Sequence, residues 1–280
     1  MSLDRTQRSD LYISDLDGTL LQSNSTLSPF TVQALQRFIQ AGGLFSVATA
    51  RTWESAQRNK FLDPVLPLSV PVVLMNGALI YDTQARRYVQ KEYIPPTAVR
   101  EMMTCVKSHG LCGWLYQNTD QTHIYHGEIT RHFMRKLYGY RKGLHGENMV
   151  QTDQPPEENI VYLSIPDEYH ALLPLYEDLQ KIPALNCVFY PCSYEQDCWY
   201  LECVSHTASK HNAVQWLRET YHFDKIIGFG DNLNDLSLFE ACDEAYAVAN
   251  ARDELKAIAT GVIAANTDDG VARFLLERMP

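Results

Sequence analysis

The sequence predicts an α/β protein: a parallel sheet with covering helices, interrupted by an inserted α+β segment. Three observations predict it. Short apolar runs alternate with helical periodicity from Leu11 to Met75, the texture changes after residue 82, and the alternation resumes after residue 205. A β-α-β-α-β order favours parallel strands, because each return to the same edge needs a covering crossover. The expected plan is one core built from residues 1–82 and 204–280, with an α+β insert at 83–203.

Leu11 to Ser14 is a short apolar strand. Ser28-Pro29 starts a helix, with Ser as N-cap and Pro at the first helical position. Val32, Leu35, Phe38 and Ile39 recur at helical spacing, and Gly42-Gly43 ends the helix. Leu44 to Ala48 is a second strand, a helix follows from about Thr52 to Asn59, and Val70 to Met75 is a third strand. Ala78 to Tyr81 and Arg87 to Lys91 read as the arms of a hairpin, and Pro95-Pro96 opens a helix near Thr97 to Ser108. Five strand-like runs follow: Gly113 to Gln117, His123 to His126, Ile160 to Ile165, Cys187 to Tyr190 and Trp199 to Cys203, mixed with two helical stretches. Thr152 to Glu158, with Pro155-Pro156, is the most linker-like part. Beyond it, Thr207 to Thr220 is helical, Ile226 to Phe229 is a strand, and Leu233, Leu236 and Phe239 mark a helix face. Ala245 to Val248 and Val262 to Ala264 are strands, and a last helix runs from about Asp269 to Glu277.

The bulk composition narrows the function. Of 280 residues 45% are hydrophobic and 21% charged, as in an ordinary globular protein. A net charge of −10 argues against nucleic acid or an anionic membrane as partner. No apolar run approaches the ~20 residues of a membrane helix, and Met1-Ser2-Leu3-Asp4-Arg5 lacks a secretory core. A cytoplasmic location is expected. The seven cysteines are odd in number and include no Cys-x-x-Cys pair; four fall between 187 and 203. Reduced structural thiols are expected there, with a thiolate metal site as the alternative.

The chemistry concentrates at four places. Asp15-x-Asp17-Gly18 follows the first strand, Thr49-Ala50-Arg51 the second, Lys210 lies early in the helix after the insert, and Gly230-Asp231-Asn232-Leu233-Asn234-Asp235 follows a later strand. Ligands of open α/β sheets bind at the carboxyl ends of strands. Residues i and i+2 of an extended segment share a side, so Asp15 and Asp17 are expected to aim at one spot. Crowded carboxylates call for a cation, and a hard ion such as Mg²⁺ suits oxygen ligands. A carboxylate can also attack phosphorus. Asp15 and Asp231 would hold Mg²⁺, Thr49 would donate to a phosphate oxygen, and Lys210 would neutralise a transferring group. A calcium loop is excluded, because Thr19, Leu20 and Thr26 stand where an EF-hand needs an acid or Asn, Gly and Glu. Arg51 reads as an ion pair at the sheet end. In the insert His123, Tyr125, His126, Tyr190, Tyr194 and Trp199 read as packing or surface residues, with a sugar or cofactor pocket as the alternative.

In that order, Asp-x-Asp-Gly-Thr-Leu, a strand-end Thr, a lone Lys and Gly-Asp-x-x-Asn-Asp resemble the four motifs of the haloacid dehalogenase-like hydrolases. Asn76-Gly77-Ala78-Leu79-Ile80-Tyr81, Ala249-Asn250-Ala251 and Asp269-Gly270-Val271-Ala272 are similar to its Cof-type sugar-phosphatase branch, as is the insert's position, that of a type IIB cap. The resemblance implies a Rossmann-like core and an inserted substrate-specificity cap. It implies Asp15 as nucleophile and Asp17 as general acid and base. Mg²⁺ would sit on the Asp15 carboxylate, the Asp17 backbone carbonyl and Asp231. The Leu16 and Ala50 N–H groups, Thr49, Lys210 and Asn234 would bind phosphate, and Asp235 would orient Lys210. Ala50 and His211 stand where Gly is common. The implied activity is Mg²⁺-dependent hydrolysis of a small phosphorylated metabolite through an aspartyl-phosphate. A phosphomutase and a non-catalytic phosphometabolite-binding regulator are the rivals.

Overall fold

The computed structural model describes residues 10–57, 66–119, 121–192 and 195–280. The chain divides into two compact units, Met1–Gln90 with Lys210–Pro280, and Lys91–Ser209. In chain order the strands are β1 (Leu11–Ser14), β2 (Leu44–Val47), β3 (Val72–Leu74), β4 (Leu79–Asp82) and β5 (Arg87–Lys91). Next come β6 (Trp114–Asn118), β7 (Thr122–His126), β8 (Met149–Gln151), β9 (Ile160–Glu168), β10 (Leu185–Pro191) and β11 (Cys198–Ser205). The last three are β12 (Ile226–Gly230), β13 (Glu244–Val248) and β14 (Gly261–Ile263).

The first unit is built on a parallel sheet in the order β14-β13-β12-β1-β2. All four residues of β1 and of β2 are buried, as strands covered on both faces require. Ser14 pairs with Phe229 on one side and Val47 on the other. The order sets the site: β2 lies to one side of β1, whereas β12 to β14 build outward from the other. The reversal between β1 and β12 is a topological switch point, where a crevice opens at the strand ends. A parallel bridge, Ala48 to Val73, leads on to the β3-β4-β5 sheet.

The helix Pro29–Gln40 forms as its residues dictate. Ser28 accepts a hydrogen bond from Thr31 N at 3.0 Å, and Pro29 needs no donor of its own. It buries Thr31, Ala34, Leu35 and Phe38; the expected Val32 and Ile39 are only half-buried flanks of that stripe. The helix Trp53–Ala56 is capped by Thr52, and the expected end at Asn59 lies outside the described residues.

The second unit carries a sheet in the order β10-β11-β9-β6-β7-β8, antiparallel except for β7 with β8. The helices Pro96–Ser108 and Tyr169–Leu179 supply Val99, Met102, Leu172 and Leu175 to an apolar cluster with Leu163 and Leu201 of the sheet. The helix His132–His145 brings Arg141 over the Trp114 ring, 3.9 Å from its centroid. Strand β8 escapes the sequence reading because only Met149 of its three residues is buried. Tyr190 Oη donates to the buried Glu202 carboxylate at 2.7 Å, and Trp199 packs on Phe189 and Tyr169. Both therefore serve packing within the unit; Tyr194 lies outside the described residues. None of the seven cysteines forms a disulfide, and Cys187 and Cys203 face each other across β10 and β11 with sulfurs 3.3 Å apart.

Candidate active site

Strand β1 ends at Ser14, and the chain turns at once. Asp15 N donates to Phe229 O at 2.9 Å, and Leu16–Leu20 forms one wide helical turn closed by Leu21 N to Leu16 O at 2.8 Å. Gly18 sits at φ +78°, and a Cβ there would lie 2.3 Å from Asp231 Oδ2. Glycine is required twice over, by conformation and by space. The turn takes Asp17 out of the strand, and the two acids have different partners. Asp15 is buried, whereas Asp17 is half-buried and gripped by Arg51, whose Nε and Nη2 donate to its two oxygens at 2.7 and 2.5 Å. The alternation rule holds only in extended backbone, which ends before Asp17.

Asp15, Asp231 and Asp235 form the carboxylate cluster, with one oxygen of each within 4.8 Å of the others and all three buried. Lys210, the first residue of the helix Lys210–Tyr221, is 1% exposed and donates to Asp15 Oδ1 at 2.7 Å and Asp235 Oδ1 at 2.6 Å. Asp235 Oδ2 accepts from the backbone N–H groups of Asp231 and Asn232. Asp235 is thus fully occupied in fixing the Lys210 ammonium and the loop after β12. Gly230 makes this possible, since a Cβ there would meet Asp235 Cβ at 2.7 Å. Thr19 Oγ1 donates to Asp231 Oδ1 at 2.9 Å and orients the remaining acid.

On the β2 side, Thr49 is buried, its N–H donating to Val73 O and its carbonyl accepting from Asn76 N. Thr49 Oγ1 accepts from Arg51 N at 3.2 Å, which bends the chain so that half-buried Ala50 stands at the turn. Asn76, at φ +52°, reaches Asn234, whose Nδ2 donates to Asn76 Oδ1 at 3.4 Å. Leu16 is buried, and His211 is half-buried on the helix beside Lys210.

Charge decides what such a cluster can hold. Burial pushes the Asp15 carboxyl up to about 7; Lys210 opposes this, while Asp235 and Asp17 add to it. Burial, then Asp235 and Asp15, likewise raise Asp231 well above the usual carboxylate range. Burial disfavours the Lys210 ammonium, yet Asp15 and Asp235 outweigh it and raise its pKa. Three carboxyls against one ammonium would carry two excess negative charges once ionised, and without a cation burial holds part of that ionisation back. An all-oxygen donor set of that charge fits a hard divalent cation of the Mg²⁺ kind. Asp15 and Asp231 would hold it, because Asp235 is committed elsewhere.

Several residues have roles that the sequence did not assign to them. Thr19 is visible only as part of the Asp15 run. Asn250 Nδ2 donates to Gly18 O at 2.8 Å, and Asn250 Oδ1 accepts from Asn266 N at 3.0 Å, so it pins the Asp15 turn from below. Asn266 Nδ2 donates to Leu21 O at 2.7 Å. Arg51 has the expected ion pair, and its partner is Asp17 itself.

Comparison with known proteins gives a consistent result. The family model of haloacid dehalogenase-like hydrolases matches residues 12–275. The chain is similar to a pyridoxal phosphate phosphatase of Escherichia coli, at 26% identity over 95% of the chain and 97% of that protein. It is also similar to a 5-amino-6-(5-phospho-D-ribitylamino)uracil phosphatase of Bacillus subtilis, at 24% identity over 94% of the chain and 95% of that protein. Among solved structures, a subclass IIB sugar phosphatase shares the fold, with a TM-score of 0.78 over 96% of the chain and 99% of that protein at 16% identity.

Proposed function

The chain belongs to the haloacid dehalogenase-like hydrolases, and from that premise we propose that it is a Mg²⁺-dependent phosphomonoesterase acting on a small phosphorylated metabolite in the cytoplasm. The observation that carries this reading is Lys210 buried between Asp15 and Asp235 at the switch point, with Asp231 beside them. A cation on Asp15 and Asp231 would draw negative charge from the phosphoryl oxygens and allow an anionic substrate to approach a carboxylate.

Asp15 attacks phosphorus through the oxygen not held by Lys210, and the bond to the leaving alcohol breaks as an aspartyl-phosphate forms. Thr49, Lys210, Asn234 and the N–H groups of Leu16 and Ala50 bind the transferring oxygens, where fixed donors matter most. Asp17 gives its proton to the leaving alcohol and later takes one from the water that cleaves the acyl phosphate. Both Asp17 oxygens are engaged by Arg51, so Asp17 must rotate out of that grip during turnover. Asp235 positions Lys210. Residues 83–203 are read as a cap that excludes water and contacts the leaving group. Relatives named for pyridoxal phosphate and for a ribitylamino-uracil phosphate point to phosphate esters with a heterocyclic leaving group, alongside sugar phosphates.

The test is phosphate release across a library of phosphorylated metabolites, with Mg²⁺ and after chelation. The reading predicts turnover of at least one ester, loss on chelation, and an Asp15→Asn variant that folds but releases nothing. Activity in that variant would remove Asp15 as nucleophile. Silence across the library with Mg²⁺ would favour a binding regulator, and an isomerised sugar phosphate in place of free phosphate would favour a mutase.

A further inference from the structure

A second group of metal-ligating side chains lies wholly within the Lys91–Ser209 unit. Cys105 and His109 stand one turn apart at the end of the helix Pro96–Ser108, and Asp178 comes from the neighbouring helix Tyr169–Leu179. The Cys105 sulfur, a His109 ring nitrogen and an Asp178 oxygen all lie within 4.8 Å of one another. His109 Nε2 is 2.9 Å from Asp178 Oδ2. All three side chains are half-buried, so an ion could reach them without crossing the core. Lys181 Nζ donates to Asp178 Oδ1 at 2.7 Å, which fixes the carboxylate and leaves Oδ2 turned toward His109.

We propose that Cys105, His109 and Asp178 form a binding site for a borderline transition-metal ion of the Zn²⁺ kind, with water in the fourth position. One sulfur, one imidazole and one carboxylate are the donors that zinc combines, quite unlike the all-oxygen cluster around Asp15. Zinc bonds of about 2.0–2.3 Å in a tetrahedron place ligand atoms roughly 3.3–3.6 Å apart. Donors that lie within 4.8 Å of one another therefore need to close by no more than about 1.5 Å, and His109 Nε2 and Asp178 Oδ2, now 2.9 Å apart, to part by roughly 0.4 Å. Spacing i, i+4 on one helix holds Cys105 and His109 on the same face, and packing of the second helix brings Asp178 to it. Burial holds the Cys105 thiol above its ordinary pKa, so the ion must displace that proton to solvent. An ion pair accounts for His109 and Asp178, and Cys105 also packs against the apolar cluster of this unit; the sulfur lying at the same point adds the soft donor.

The test is titration of the reduced full-length chain with Co²⁺ as a spectroscopic probe. A thiolate-to-cobalt absorption band saturating at one equivalent, and bleached by Zn²⁺, is expected. The Asp15 cluster has no sulfur and cannot give that band. Cys105→Ser should abolish it, Cys187→Ser should leave it, and His109→Gln should weaken binding by about a hundredfold or more, since losing even an outer partner of a ligand costs 10–100-fold. Circular dichroism checks that each variant folds, and Cys105→Ala, which keeps the apolar contact, serves if the serine variant does not. No thiolate band, or a band that survives loss of Cys105, would overturn the assignment.

Discussion

Lys210 and Asp15 show how a single residue sets both stability and chemistry. Among the described residues Lys210 is the ammonium paired with this buried carboxyl cluster, so Lys210→Ala leaves acids facing each other. Breaking a buried pair in this way typically costs about 3–5 kcal/mol. Urea unfolding of Lys210→Ala should show a loss of that order together with lost turnover. Asp15→Asn should also lose turnover but keep or gain stability without Mg²⁺, because it removes a carboxylate that burial already disfavours. Equal destabilisation in the two variants would contradict the charge account. Arg51 makes a separate prediction. Arg51→Lys keeps the charge but loses the two-pronged grip on Asp17. With Asp17 freer to leave Arg51, kcat should be unchanged or higher and KM nearly unchanged, whereas Asp17→Asn should lose roughly 10²–10⁴-fold in kcat. The identities of these residues were legible in the sequence, because acids, Thr and Lys fall at strand ends. The pairing of Arg51 with Asp17 was not, since it depends on the helical turn that opens at Leu16, just after the strand.

Elements carry the next level of the design. Asp269, at φ +59°, ties three parts of the first unit together: its Oδ1 accepts from Ser28 Oγ at 2.5 Å, Thr31 Oγ1 at 2.9 Å and Gln22 Nε2 at 3.2 Å. Asp269→Ala should cost about 1–3 kcal/mol in urea unfolding, the range for a lost charged acceptor. Gly270 beside it admits no side chain, because a Cβ would lie 1.9 Å from Ala264 O. In the second unit His145 ends the helix His132–His145 and is 7% exposed. Burial, and then Arg141, pull its pKa down to about 4. Between about pH 4 and its ordinary value near 6.5 the unfolded chain binds the proton that the folded chain refuses, so stability rises with pH across that window. The contribution is fully present above about pH 6.5 and lost as the pH falls through 4. The wild type minus His145→Gln stability difference should therefore change by up to about 3 kcal/mol over that range; a flat difference would count against a buried neutral imidazole. Helices with strong caps were legible from sequence, as Ser28-Pro29 illustrates. Strand β8 was not, because it is set by pairing with β7 rather than by its own pattern.

At the scale of the molecule, strand order decides where chemistry is possible. The sequence pattern predicted parallel strands and an insert, but not that β12 would sit directly beside β1. That neighbourhood brings residues 15 and 231 into one cluster, and only long-range pairing specifies it. The substrate stayed illegible, because leaving-group contacts depend on side-chain placement that no local pattern encodes. Among the described residues no helix is long and apolar enough to cross a membrane. The crowded carboxyls of the cluster also predict a whole-molecule response: Mg²⁺ should stabilise the fold by about 2.7 kcal/mol at a hundredfold excess over Kd and so raise the melting temperature, and Asp231→Asn should blunt the rise. The most direct test of the central claim is to trap the phosphoryl group on the enzyme. Turnover of an active ester is quenched with acid, the acyl phosphate is reduced with borohydride, and peptides are read by mass spectrometry. Homoserine at position 15 is the predicted result; modification elsewhere, or none during active turnover, would contradict it.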